Sequence, residues 1–252
     1  MYKLLKVSLC CLLLVGCTHQ ATKERSTDRR ATTYRARYGF LLSRVERPEK
    51  ASQWYGPPKL ETLSPKLAYR YVFEDGLVRV GWAFRGNQMA FSLENKAEHS
   101  IQIPWDEAAF VDESGRSHRV MHASVQFADR EKPQPPSVVA PKEQLEDIVA
   151  PTDYVRRVEG TRSTAGRWEE KSLLPDFDFH SSSVKGEYAT FADFETAAKS
   201  KVGKTIQILL PLKVEDVVNN YIFTFQIDSA EAFEEAGQRE LERKGSKTGE
   251  GK

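Results

Sequence analysis

His118 and His122 are the first residues in this chain that could do chemistry, because a spacing of four on a helix would turn both imidazoles to one face for a metal ion. Their neighbours alternate as a strand does. Four residues of strand span about 13 Å, too far for both rings to reach one zinc at about 2 Å each, so no metal site is expected there. Asp106, Glu107, Asp112 and Glu113 form an acidic cluster. No Asp-x-Asp-x-Asp-Gly loop accompanies them, and they read as solvated turn residues rather than a calcium site. Ser181, Ser182 and Ser183 beside His180 put hydroxyls near a base, but a serine run reads as a loop and no third group can be assigned. No Gly-x-Ser-x-Gly elbow, phosphate-cradling glycine loop or His-Glu-x-x-His helix occurs. Neither a catalytic residue nor a cofactor is expected.

The three cysteines, Cys10, Cys11 and Cys17, lie at the start of the chain. Lys3 and Lys6 make a short positive head, Val7 to Val15 is apolar apart from Ser8, and small residues then lead into Cys17. This is the build of an export signal. The apolar run is far short of the roughly 20 residues a spanning helix needs. Leu14, Val15, Gly16 and Cys17, in this order and position, resemble the lipobox of bacterial lipoproteins. The resemblance implies a signal peptide over residues 1–16, cleavage before Cys17, and a diacylglycerol on its thiol as the membrane anchor. Thr18, rather than an aspartate, follows the cysteine. By resemblance to lipoproteins of two-membrane bacteria, this implies the outer membrane, with the protein facing the periplasm. With Cys10 and Cys11 discarded, the folded chain has neither a disulfide nor a thiolate site, and at this length it can rely on its core.

The whole chain carries a net charge of +1, and removing Lys3 and Lys6 leaves about −1. No overall field gathers nucleic acid, and none is expected as a partner. Residues 17–37 read as a lipidated cysteine and polar tether, with Lys23, Arg25, Arg29, Arg30, Arg35 and Arg37 against Glu24 and Asp28. The basic excess could touch anionic headgroups or simply solvate the segment.

From Leu67 the chain acquires a period of two, which marks strands. Val78, Val80, Trp82 and Phe84 alternate with more polar residues, and Gly86 and Asn87 make a turn. Met89, Phe91 and Leu93 then form the second arm of an antiparallel hairpin. Ile101 to Trp105, a hairpin across Glu113 to Gly115, and short strands at Ser137–Ala140 and Leu145–Val149 follow. The prolines of Lys132 to Pro136 could dock a partner or carry the chain from one sheet to another. Ile206, Ile208, Leu210 and Leu212, then Tyr221, Phe223, Phe225 and Ile227, make the last two strands. The expected core is Val78, Val80, Trp82, Phe84, Phe91, Leu93, Ile206, Ile208, Phe223 and Phe225. Trp54 and Tyr55, in a Pro-rich segment after the short apolar stretch Tyr38 to Arg44, read as cover for its edge.

Residues 152–204 lack this alternation and read as an insertion. Near its end Thr190 and Asp193 have capping-box spacing, Phe191, Phe194, Ala198 and Val202 share one helical face, and Gly203 stops the helix. Residues 229–252 read as a polar tail of mixed charge. The fold expected over residues 38–228 is therefore a mostly β, antiparallel immunoglobulin-like sandwich with one late helix in an insertion, or alternatively a closed barrel. Phe91 to Ile103, FSLENKAEHSIQI, resembles the strand, polar turn, strand opening of small immunoglobulin-like modules in bacterial envelope proteins.

Long connections in compact domains tend to carry function. The expected partner surface is accordingly Arg162, Arg167, Trp168, Phe177 and Phe179, an aromatic patch with a positive rim suited to an envelope protein or an anionic glycan. The function expected is that of a non-catalytic, lipid-anchored envelope protein whose sandwich binds or organises another envelope component. A membrane-anchored hydrolase, or a lipoprotein binding a small ligand or glycan, is the alternative.

Overall fold

The computed structural model describes residues 33–64, 66–175 and 188–235, all within one compact unit. Wherever apolar and polar side chains alternate, the chain runs as a strand, because only a pleated strand puts successive residues on opposite faces. In chain order these are β1 Thr33–Glu46, the short helix α1 Ala51–Tyr55, β2 Lys59–Thr62, β3 Tyr71–Glu74, β4 Val78–Phe84, β5 Met89–Asn95 and β6 Ile101–Ile103. Next come β7 Ala109–Val111, β8 Ser117–Met121, β9 Ser137–Val139, β10 Gln144–Pro151, β11 Val155–Val158 and β12 Arg167–Glu170. Helix α2 Phe191–Lys199 precedes β13 Thr205–Val214 and β14 Val217–Glu235.

The protein is mostly β and its strand pairs are antiparallel. A single hydrogen-bonded path runs β1-β14-β13-β7-β8-β10-β5-β4-β3-β2, with β6 and β9 branching from β13. Among the described residues β11 and β12 pair only with each other. The two ends of the path approach one another, since β1 touches β2 and β3 without pairing to them. The sheet thus curls nearly into a barrel, closer to the alternative architecture than to two separate sheets.

Its interior is aromatic. Trp82 on β4 lies 5.0 Å from Phe223 and 5.8 Å from Phe225 on β14, and Phe73 on β3 lies 5.7 Å from Phe223. Of the ten expected core residues nine are buried, and the tenth, Phe84, is half-buried at the end of β4. Tyr55 packs on the core edge as expected, whereas Trp54 is 51% exposed.

The structure differs from the reading of the sequence at both ends of the domain and in the insertion. β1 begins at Thr33, inside the stretch read as tether, and β14 extends to Glu235, inside the stretch read as tail. The two extensions pair with each other, from Thr33↔Glu235 to Tyr38↔Ala230. Each supplies the partner the other lacks, so neither end could be recognised alone. Bulges at Gly39/Phe40 and Leu42/Arg44 interrupt that pairing, and a Cβ at Gly39 would collide with Asp228 and Ser229. The insertion is also partly regular, with the β11–β12 ribbon followed by buried Leu173 and Leu174.

α2 forms where its signals lie. Thr190 Oγ1 accepts the Asp193 N–H at 3.2 Å, and the Asp193 carboxylate accepts the Thr190 N–H at 3.1 Å. Phe194 and Ala198 are buried. The helix stops at Lys199, so Val202 falls in the turn and is 43% exposed, while Gly203 adopts φ +84° and donates its N–H to Ile227 O. Thr190→Ala should cost about 1 kcal/mol, typical of a lost N-cap. Urea unfolding measures it, and an unchanged midpoint would show that the cap adds nothing to the folded domain.

Candidate functional site

Where the ends of the sheet approach without pairing, a cleft of about 740 Å³ opens. Arg35, Arg37, Tyr38 and Phe40 of β1 line one side, and Arg70, Tyr71, Phe84 and Arg85 around β3 and β4 line the other. Trp168, Glu169 and Glu170 of β12 complete it. Four arginines against two glutamates leave a net of two positive charges in a molecule whose overall charge is near neutral. The side chains are placed by strand alternation: with Tyr38, Phe40 and Leu42 turned into the core, Arg35 and Arg37 lie at alternate positions beside them.

The arginines differ in how they are engaged. Arg37 reaches Glu231 at 3.2 Å, where both side chains are largely exposed, and its guanidinium lies 5.5 Å from the Phe233 ring. Arg85 donates to Ala68 O at 3.4 Å, a long bond to a neutral carbonyl. The Arg70 Nε–H is buried and meets no acceptor among the described residues. Its guanidinium sits 5.7 Å from the Tyr71 ring. Burial pushes the Tyr71 phenol up, and the positive charge of Arg70 and the N–H of Phe40 oppose that shift.

Of the residues expected to form a partner surface, Arg162 is exposed in the β11–β12 turn. Arg167 and Arg156 both bond Glu169, at 2.6 and 2.8 Å, and Glu169 is buried. Trp168 is half-buried against Met121, Ala150 and Val155, with Arg130 and Arg157 stacked 5.2 and 5.8 Å from its ring. One part of the surface read from the sequence is therefore packed, and Trp168 also lines the cleft. Phe177, Phe179, His180, the serines at 181–183 and Cys17 lie outside the described residues. The cleft arginines escaped sequence reading because they are 50 residues apart at most in sequence on one side and 80 or more from Trp168 on the other. The alternation of Tyr34, Ala36, Tyr38 and Phe40 is the available signal, and the intervening Arg35 and Arg37 mask it.

The histidines are engaged separately. His118 on β8 is buried, with Nδ1 2.9 Å from Asp153 and Nε2 3.0 Å from Asp112. The ring is thus held between two carboxylates, one at each nitrogen. Burial alone would push the Asp112 carboxyl up. Hydrogen bonds from the Ser114 hydroxyl, the Arg116 N–H, His118 and the Ser114 N–H outweigh it and hold that carboxyl far below the usual range. Tyr154, 5.3 Å from His118, is pushed up to about 12 by burial, with Asp112, Glu113 and Asp153 adding to the shift.

His122 stacks on Trp105 at 4.5 Å and 4°, and its Nδ1 faces Asp147 at 3.1 Å. Ser124 Oγ lies 3.1 Å from Nε2, which gives the connectivity of a serine hydrolase triad. The geometry is different, because Oγ is also 3.4 Å from Nδ1. A hydroxyl aligned with the Nε2 lone pair would be far from the other ring nitrogen, so this one sits beside the ring and cannot hand its proton to Nε2 as placed. Asp147 instead fixes the turn, accepting the N–H groups of Ala123 and Ile148 at 2.8 Å each.

A third network lies in the interior. Asp75 accepts from Arg47 at 3.1 Å, from the Tyr221 hydroxyl at 3.0 Å and from the N–H groups of Leu77 and Val78. Burial first, and the Asp75 charge second, push the Tyr221 phenol far up. Asp75 thereby ties the end of β1, the turn after β3 and β14 together. Among the described residues no group of three or more His, Cys, Asp or Glu is placed to hold a metal ion. Comparison with family models, with curated proteins and with solved structures gives no match.

Proposed function

We propose that this chain is a non-catalytic, lipid-anchored envelope protein, attached through Cys17 to the outer membrane and facing the periplasm, whose β domain binds an anionic envelope component in the arginine-lined cleft. The observation that carries the binding reading is the cleft itself, where Arg35, Arg37, Arg70 and Arg85 outnumber Glu169 and Glu170 and leave a net positive charge. A guanidinium gives an anionic oxygen a charge-assisted hydrogen bond, roughly twice as strong as a neutral one. Anchoring is supported by the lipobox resemblance of Leu14 to Cys17. The immunoglobulin-like kinship of the domain belongs to the same proposal. It is supported by the segment Phe91 to Ile103, where β5 and β6 do not pair and the chain crosses from the β4 side to β13, as consecutive strands of a sandwich do.

Labelled fatty acid should enter the wild-type protein and not Cys17→Ser, and the variant should leave the membrane fraction. Equal labelling of both would rule out the anchor. For the cleft, the mature chain bearing Cys17→Ser should be retained on a sulfated polysaccharide resin and elute with salt. Arg70→Gln with Arg85→Gln should elute at markedly lower salt with little change in melting temperature. Retention that ignores these two arginines would place anion binding elsewhere.

A further inference from the structure

We infer that the ligand of the cleft is the phosphate of an anionic lipid headgroup, presented by the same membrane that holds the anchor, so that the domain docks by its tethered end. This rests on the anion-binding and anchoring reading above and names the ligand class. Arg35 and Arg37, which line the cleft, are the third and fifth residues of β1, where the described fold begins. Only the fifteen residues from Thr18 to Thr32 separate β1 from Cys17. Fully extended, they span at most about 50 Å, so the cleft sits at the end of the domain that the anchor keeps close to the bilayer.

In the sequence, positive charge gathers just before β1. Lys23, Arg25, Arg29 and Arg30 precede β1 with only Glu24 and Asp28 against them, and Arg35 and Arg37, which line the cleft, follow them in the sequence. The mature chain as a whole nets about −1, so this clustering does not follow from composition. Guanidinium groups suit phosphate because their planar fork can bond two of its oxygens at once. The cleft lining also includes Leu67, 53% exposed, and Phe233. An apolar side chain beside arginines matches the boundary where headgroup phosphate meets the glycerol and acyl region, a neighbour that a soluble polyanion does not supply. Near an anionic membrane each Lys or Arg is worth a roughly fivefold change in binding.

The test uses the full mature chain with Cys17→Ser, so that no acyl chain carries it into a bilayer, and vesicles of phosphatidylglycerol with phosphatidylcholine or of phosphatidylcholine alone. Binding to the anionic vesicles should exceed binding to the zwitterionic ones at least tenfold. Arg70→Gln with Arg85→Gln should remove at least tenfold of it while the melting temperature stays within about 3 °C. Replacing Lys23, Arg25, Arg29 and Arg30 by Gln should weaken binding as well, and adding the cleft pair to that replacement should still remove at least a further tenfold. If that replacement removes all binding and the cleft pair none, the site is the segment before β1 and the inference is wrong. If the protein ignores anionic vesicles yet holds the sulfated resin through Arg70 and Arg85, the lipid assignment fails while the anion-binding reading stands. If neither surface holds it, both fail.

Discussion

Truncating Phe223 to alanine should destabilise the domain by roughly 3 to 5 kcal/mol, the range for removing a large aromatic side chain from a packed core. Phe223 is fully buried in the middle of β14, and its ring lies 5.0 Å from Trp82, 5.7 Å from Phe73 and 6.3 Å from Tyr221. These partners belong to β4, β3 and β14, so the one side chain bridges opposite walls of the curled sheet. The cavity would be lined by rings held in place by their own strands. Trp82 also touches Phe91 and Phe225, and Tyr221 is fastened by its hydroxyl to Asp75, so neither can swing inward to fill the gap. Little relaxation puts the cost toward the upper end of the range. Chemical denaturation at pH 7 measures it. A loss under 1 kcal/mol would mean that Phe223 does not sit between β3, β4 and β14, and that the wall-to-wall packing is wrong.

The same residue shows what could be read from the sequence. Tyr221, Phe223, Phe225 and Ile227 alternate without interruption, and so do Ile206, Ile208, Leu210 and Leu212, because both faces of these strands obey one period. The helix was legible for a similar reason, since Thr190 and Asp193 specify its start with local hydrogen bonds. What escaped was non-local. β1 is as strongly patterned as β14 through Tyr34, Ala36, Tyr38 and Phe40, but its arginines and two bulges break the apparent period, and its partner lies almost 200 residues away. The alternation of Ala230, Ala232 and Glu234 is too weakly apolar to mark a strand, and only pairing with β1 makes it one. The cleft is the product of those two facts, since it forms where β1 meets β3 and β4 without strand pairing. Sequence spacing carries no record of which strands approach and fail to pair. The choice between sandwich and barrel was undetermined for the same reason: alternation specifies which side chains point inward, not whether the sheet that holds them is divided or continuous.

Asp112→Asn should cost about 3 kcal/mol at pH 7, and the cost should shrink in acid. Asp112 is 2% exposed and sits at the end of the β7–β8 hairpin, where it accepts from Ser114 Oγ at 2.6 Å, from the Ser114 and Arg116 N–H groups at 2.9 and 3.0 Å, and from His118 at 3.0 Å. Arg116 adds a contact at 3.1 Å, but its side chain is 69% exposed and that pair contributes little. The larger loss is to His118, whose ring is buried and whose remaining carboxylate, Asp153, is 60% exposed. Removing one charge from a buried pair costs about 3–5 kcal/mol. Asparagine keeps an acceptor oxygen for the turn, and Asp153 keeps one end of the ring, so the lower value is expected. The pH dependence follows from the depressed carboxyl of Asp112 in the fold. A carboxyl held lower when folded than when unfolded stabilises the protein fully above its unfolded value, about 3.9, and loses that contribution as pH falls through the range below it. The asparagine variant has no proton to bind there. Its deficit against the wild type should therefore narrow by about 1.4 kcal/mol for each pH unit as pH falls below about 4. Parallel urea titrations at pH 7, 5 and 3 read the difference directly. A deficit that is the same at pH 3 as at pH 7 would show that the network depends on the shape of residue 112 and not on its charge.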